Sequence, residues 1–323
     1  MSLAILRYIR RRGLIPELSS DQPLSVIKLN TSTLEGGALV SLVFPPNASH
    51  PLYALRVARH PEQRQGLDAN YAALQALSRV PVLEGTIPRP VVRDAFQGIP
   101  FTVETCLEGS PLAIEIALAD TESDEQRLVH LLEPVCTWLW KLHTSTATGE
   151  KAPFLPSIAG TLKYFERHAL LPTEDIRALQ SYLTPLQSQP VPQVYSHNDM
   201  HPNNLLYRPD GIGVVDWERS APDSPLRDLF MLFTYAYLFP PDRIVPAEER
   251  YRSLWTDTTP VCQLFRSTLH RYMSPSPIVQ DLDPRRAFCS FLAHTAVAIR
   301  ETGPGFARER LPAITRILIA ETR

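Results

Sequence analysis

The chain has 323 residues, 44% of them hydrophobic, and a formal net charge of −2. That length and apolar content suit one large or two medium globular domains. The near-neutral charge excludes bulk electrostatic attraction to nucleic acid. Lys28, Lys141, Lys151 and Lys163 are the only lysines, so the positive charge is nearly all arginine.

The N-terminal stretch carries apolar residues followed by Arg10, Arg11 and Arg12. Its apolar part is too short for a secretory signal and its charges follow rather than precede it, so a docking helix is expected. Leu24 to Leu29 and Ala38 to Phe44 read as strands around NTSTLEGG, where Gly36 and Gly37 permit a tight turn. A surface loop, PPNASHP, leads to a third strand over Leu52 to Ala58. In the helix expected over Pro61 to Leu77, Leu67, Tyr71, Leu74 and Leu77 recur at helical spacing. IPRPVV and PFTVETCLEGSPL supply further strands.

From Ser110 the chain reads as mostly helical. Glu125 to His143 presents Leu128, Leu132, Val135, Leu139 and Leu142 on one face, with a kink expected at Pro134. Ile158 to His168 and Pro172 to Leu186 follow as helices, and later Glu248 to Trp255, Pro260 to Tyr272, Pro284 to Glu301 and Ala307 to Thr322. Leu229 to Phe239 is apolar all round but falls well short of the roughly 20 residues of a membrane span, so it reads as a core helix. SPSPIVQDLDP reads as an inter-helix loop. Cys106, Cys136, Cys262 and Cys289 show no C-x-x-C spacing and read as thiols of a cytoplasmic protein.

The chemistry is concentrated between Gln193 and Asp228. Two short apolar runs, Val191 to Tyr195 and Ile212 to Val215, read as buried strands with a Pro209-Asp210-Gly211 turn between them that would close a hairpin. The first delivers His197, Asp199 and Asn204, the second Asp216 and Glu218. Phosphoryl transfer needs such a set: a carboxylate to take the proton of the attacking hydroxyl, and hard oxygen ligands for a divalent cation. On this reading Asp199 is the base, and Asn204 and Asp216 hold the metal. A rival reading makes His197, Asp199 and His201 a hydrolytic metal cluster, but it leaves Asn204 and the Asp216-Trp217-Glu218 element unexplained.

His197, Asp199, His201, Pro202 and Asn204, followed by Val215-Asp216-Trp217-Glu218, resemble the signature of the aminoglycoside phosphotransferase and choline kinase-like families. The resemblance implies an α+β, protein-kinase-like fold of two lobes, with a small antiparallel-sheet N-lobe over residues 1–106 and a mostly helical C-lobe over 107–323. It implies ATP or GTP as co-substrate, Mg²⁺ as cofactor and a small hydroxyl-bearing acceptor. Asp199 then matches the catalytic-loop Asp, and Asn204 and Asp216 match the metal ligands. NTSTLEGG becomes the phosphate-covering loop, and ETCLEG becomes the hinge, where backbone groups of Thr105 and Cys106 meet a purine. Asp228 matches a later Asp that steadies the catalytic loop, and His143 reads as a packed or capping residue.

Two positions depart from the family pattern. Arg56 stands where the phosphate-gripping Lys is usual, and Asn70 where the helix carries its partner Glu. Arg56 retains permanent charge and a bidentate fork, with Asp68 or Glu62 as candidate partners and Arg59 as a substitute contact. The alternative function is a catalytically weak or inactive pseudokinase that acts as a nucleotide-binding regulatory or scaffold protein. The short spacing from Asp216 to Asp228 leaves no room for a protein kinase's activation segment, which favours a small acceptor. Asp223, Asp242, Asp257 and Glu301 are candidate contacts for a cationic acceptor but read first as surface charges or caps, and Tyr251 and Trp255 read first as core.

Overall fold

The computed structural model describes residues 1–18, 23–29, 38–45, 48–119, 125–154, 158–240, 245–273, 282–302 and 308–323. Gly36, Gly37, Asp242 and most of the Pro-rich stretch after Met273 lie outside these residues. The chain forms two compact units. Met1–Ser110 joins Asn204–Ser220 in the first, and Pro111–Asn203 joins Ala221–Arg323 in the second.

The first unit is built on a five-stranded antiparallel sheet of β1 (Ser25–Leu29), β2 (Leu39–Phe44), β3 (Tyr53–Val57), β4 (Pro90–Phe96) and β5 (Ile99–Thr105), in the order β1-β2-β3-β5-β4. β3, central in the sheet, is buried at every position. Helix α1 (Ser2–Arg12) turns Ile5, Leu6 and Ile9 inward, where they share a core with Val43, Leu55, Val57, Phe101 and Val103. Each such buried side chain is worth about 1.5–3 kcal/mol, which explains why the Arg-rich helix docks on its own sheet. Helix α2 (Gln63–Leu77) interrupts the strand sequence between β3 and β4 and buries Leu67, Ala73, Leu74 and Leu77.

The unit is completed from far along the chain. Strands β9 (Leu205–Arg208) and β10 (Gly211–Val214) pair antiparallel with Leu205 opposite Val214. Val214 N–H donates to Thr86 O at 2.8 Å, and Arg208 Nη1 to Gly85 O at 2.7 Å, which ties the hairpin to the turn after α2. The Pro209-Asp210 turn therefore closes a hairpin, but its first strand is Leu205–Arg208 and not the run from Val191 to Tyr195. That earlier run forms two short strands of the second unit instead.

In the second unit, β6 (Lys151–Pro153) pairs with β7 (Pro190–Pro192), and β8 (Val194–Ser196) pairs with β11 (Ala221–Asp223). Helices dominate: α3 (Leu112–Leu118), α4 (Glu125–Ser145), α5 (Ile158–Arg167), α6 (Thr173–Leu183), α7 (Pro225–Phe233), α8 (Ala247–Thr256), α9 (Pro260–Met273), α10 (Pro284–Thr302) and α11 (Leu311–Thr322). α4 runs through Pro134 as one helix. α7 starts at Pro225 behind Ser224, whose Oγ accepts the Leu226 N–H, and gives way to a π turn over Thr234–Leu238. The core is aromatic. Phe230 stacks on Phe288 at 4.5 Å, and Trp255 meets Phe265 edge-on at 5.3 Å. Tyr251 and Trp255 thus serve packing, as their helical spacing suggested. Among the described residues no helix is long and apolar enough to cross a membrane.

Candidate functional site

In the second unit, the segment after β8 is organised by Asp228 at the start of α7. The fully buried Asp228 accepts the backbone N–H groups of His197 and Asn198, each at 2.8 Å. His143 Nε2 lies 3.2 Å from Asp228 Oδ2, and His143 Nδ1 lies 2.9 Å from Tyr272 Oη. Burial pushes the Asp228 carboxyl up. The hydrogen bond and charge of His143, the charge of His197 and the His197 N–H outweigh it and hold the group below its ordinary value. Asp228 and His143 are therefore scaffold, the roles given them by resemblance and by position at a helix end.

His197 is fully buried, and its Nδ1 accepts the Asp199 N–H at 3.3 Å. That ring is committed to shaping the loop. Asn198 adopts φ 62, a left-handed conformation that Asn tolerates better than most residues. The turn projects Asp199, whose side chain keeps 21% exposure and whose Oδ2 lies 3.7 Å from His201 Nε2. Among the described residues there is no group of three or more His, Cys, Asp or Glu side chains placed to hold a metal ion. The hydrolytic cluster of His197, Asp199 and His201 thus has no support in this geometry.

In the first unit, Asn204 and Asp216 flank the β9–β10 hairpin. Val215 N–H donates to Asn204 O at 3.0 Å, extending the ladder by one pair and bringing Asn204 beside the residue that precedes Asp216. Asp216 itself sits at φ 68. Asp, like Asn, tolerates this left-handed region better than most residues, and its surroundings help to hold it there. Two of those surroundings are visible on either side. Trp217, fully buried, donates its backbone N–H to Asn70 Oδ1 at 2.9 Å, and Asp216 Oδ1 accepts from Arg56 Nη1 at 2.9 Å.

Arg56 does not point to solvent. It is 9% exposed, and its Nε donates to Glu104 Oε1 at 3.1 Å while Nη1 reaches Asp216. Burial works against its charge, but Glu104 and Asp216 more than compensate, and its pKa rises. Glu104 in turn accepts from Asn70 Nδ2 at 2.8 Å. The partners named for Arg56 from sequence are therefore corrected. Asp68 pairs with Arg93 at 2.8 Å and with Arg64 at 3.7 Å, and the residue that meets Arg56 is Glu104. Sequence reading missed it because Glu104 sits in β5, and only the strand register, Ala54 opposite Glu104 and Arg56 opposite Thr102, puts it on the same face as Arg56.

One guanidinium between two carboxylates leaves a local excess of negative charge, and Asn204 and Asp216 offer the hard oxygens that Mg²⁺ prefers. These residues fit a divalent cation that takes its remaining ligands from phosphate and water. The hinge residues are more constrained. Thr105 N–H donates to Arg89 O at 2.9 Å and Cys106 N–H to Leu52 O at 2.8 Å, so both amides are already used within the sheet. The Cys106 thiol is pushed up to about 12 by burial and by the charge of Glu104, which favours the neutral form.

Of the other acidic residues named from sequence, Asp223 pairs with Arg227 at 2.7 Å, and Asp257 is bound by Thr256 Oγ1 at 2.8 Å. Glu301 is exposed at the end of α10.

Residues 47–265, two thirds of the chain, match the model of the phosphotransferase enzyme family that takes its name from the aminoglycoside phosphotransferases. The chain belongs to this family. Among solved structures, choline kinase from Cryptosporidium parvum Iowa II is similar at 16% identity, over 98% of this chain and 95% of that one, with a TM-score of 0.57. A glucosamine kinase solved with glucosamine, ADP and inorganic phosphate matches at 15% identity, over 92% and 82% of the two chains, with a TM-score of 0.55. An aminoglycoside phosphotransferase from Streptomyces rimosus, solved with ADP and streptomycin, matches at 18% identity over 90% and 97%, with a TM-score of 0.50. At these identities the likeness establishes the protein-kinase-like fold of this phosphotransferase family member. No curated protein sequence gives a significant match.

Proposed function

We propose that this family member transfers the γ-phosphate of ATP or GTP to a hydroxyl of a small molecule. Asp199 accepts the proton of the attacking hydroxyl, Asn204 and Asp216 hold Mg²⁺, and Arg56 grips the nucleotide phosphates. Carbonyls of Thr105 and Cys106 face the purine. The domain roles follow, with residues 1–106 covering the nucleotide and 107–323 carrying the base and the acceptor contacts.

The observation that carries this reading is Asp216, kept at φ 68 beside Asn204 and tied to a buried cation. A carboxylate fixed from two sides is the preorganisation that phosphoryl transfer requires of a protein, whose contribution is positioning and charge. The metal, when bound, neutralises charge on the phosphates. This chain's residues orient the nucleotide and take the proton at Asp199 Oδ. The relatives support the same reading. The glucosamine kinase and the Streptomyces rimosus enzyme were solved with ADP and their acceptors, and an amicoumacin kinase with AMP-PNP and Ca²⁺. The regulatory alternative rests on the replacement of the usual Lys–Glu pair by Arg56 and Asn70; the ion pair of Arg56 with Glu104, which gives the cation a carboxylate partner, supports the catalytic reading.

Calorimetric titration with ATP and with GTP, each with and without MgCl₂, tests the proposal. Mg²⁺-dependent binding of one nucleotide, followed by acceptor-dependent ADP or GDP release in a screen of amino sugars, amino alcohols and antibiotics, is the expected result. A folded protein that binds neither nucleotide would refute it.

A further inference from the structure

We infer that Glu104 and Asn70 are positioning residues: a strand carboxylate has taken over the charge role left by the helix, and Asn70 latches that carboxylate to the turn that carries Asp216. The inference rests on the phosphotransferase reading for what Arg56 grips, but the latch is a property of this fold alone.

Glu104 is 4% exposed, Asn70 1% and Arg56 9%. A carboxylate so buried is tolerable only when paired and hydrogen-bonded, and here one oxygen takes Arg56 Nε and the other takes Asn70 Nδ2. Asn70 then spends its carbonyl oxygen on the Trp217 N–H. The amide of Asn70 presents a donor to Glu104 and an acceptor to Trp217 from two separate atoms at once. A glutamate at position 70, the usual family residue, would take the Trp217 N–H but set carboxylate against carboxylate at Glu104. A glutamine at position 104 would accept from Arg56 but set amide N–H against amide N–H at Asn70. The two positions are therefore matched: one carboxylate and one amide, in either order, satisfy every group in the network. The order in this chain puts the charge on β5, where it sets the height of Arg56 over β3, and leaves α2 a neutral link to the Asp216-Trp217 turn.

The test compares E104Q, N70E and the exchanged double variant E104Q/N70E with the wild type. Circular dichroism and thermal unfolding verify that each folds. Two quantities are read: affinity for ATP and for GTP in the presence of MgCl₂, and protection of the Trp217 backbone amide against hydrogen exchange. Each single variant is expected to lose about 10- to 100-fold in affinity, the usual coupling within one buried network, and to lose protection at Trp217. The exchanged variant is expected to recover most of both. A purely structural role for either residue predicts that the double variant is as poor as the product of the singles, and that outcome overturns the proposal, as do single variants that match the wild type. If the wild type binds neither nucleotide, the phosphotransferase reading fails. The Trp217 amide then still decides the latch, through loss in the singles and return in the exchange.

Discussion

Arg56 Nη1 lies 2.9 Å from Asp216 Oδ1, so the cation expected to grip phosphate already holds one oxygen of the carboxylate expected to hold metal. The two functions are joined in one ion pair. Asp216→Ala should therefore weaken Mg²⁺-dependent nucleotide binding by at least about 10- to 100-fold, the usual cost even of a second-layer metal partner. Calorimetry with and without MgCl₂ measures it. Unchanged affinity would remove Asp216 from the metal site.

Asp199→Asn separates chemistry from binding. The side chain leaves no gap in a core, since Asp199 is partly exposed. Nucleotide affinity should hold within about twofold while turnover falls about 10²- to 10⁴-fold, the range for general-base assistance. Single-turnover kinetics with the acceptor found in the screen reads this directly, and normal turnover would exclude Asp199 as the base.

Restoring the family's usual residues, Arg56→Lys with Asn70→Glu, should harm the protein. A lysine cannot fork between Glu104 and Asp216, and a glutamate in place of Asn70 would face Glu104 without a donor between them. Breaking a buried pair in this way costs about 3–5 kcal/mol, measurable as a lower urea midpoint together with weaker nucleotide binding. A more stable or more active double variant would contradict the network.

Asp228 predicts an acid-side stability change. Its folded carboxyl lies below the ordinary value, so the ionised form contributes stability above the unfolded pKa of about 3.9, and that contribution is lost as pH falls through the folded value. Asp228→Asn should be destabilised by about 2–5 kcal/mol from pH 5 to 8, with the gap to wild type closing below about pH 4. Urea midpoints across pH test it. A gap that stays constant down to pH 3 would show that charge is irrelevant at this position.

Two glycines of the first unit should respond oppositely to alanine. A Cβ on Gly66, inside α2, would meet Glu218 Oε2 at 3.0 Å, the far end of a flexible side chain, so Gly66→Ala should stabilise by up to about 0.5–1 kcal/mol through helix propensity. Gly109 sits at φ 140 with a Cβ position 2.9 Å from the Tyr207 backbone oxygen, so Gly109→Ala should cost about 1–3 kcal/mol or more. Thermal unfolding of both variants checks the pair of signs.

The sequence was legible where chemistry demands particular residue types and where apolar periodicity is strong. Strand order around α2, the helices from Glu125 onward and the apolar α7 follow from such patterns. Asp228 and His143 also sit where resemblance and helix-end position put them. What failed was pairing. The strand Leu205–Arg208 was hidden because it follows the Asn204 loop without a break, and Glu104 was hidden because neighbours across a sheet depend on register, which one strand's sequence does not contain. The acceptors of the Thr105 and Cys106 amides, Arg89 and Leu52, were hidden for the same reason, since they come from other parts of the chain.

The first unit is written in two instalments, Met1–Ser110 and then Asn204–Ser220, with a long stretch of the second unit between. During vectorial synthesis the five-stranded sheet and α1 can assemble early, but Asn70 and Thr86 must wait for Trp217 and Val214 to leave the ribosome. A fragment ending near Ser110 would thus emerge with its sheet formed and its Arg56 held by Glu104 alone. The ion pair to Asp216 closes only once residue 216 has emerged, so in the nascent chain the proposed phosphate grip and metal turn are completed by one late contact.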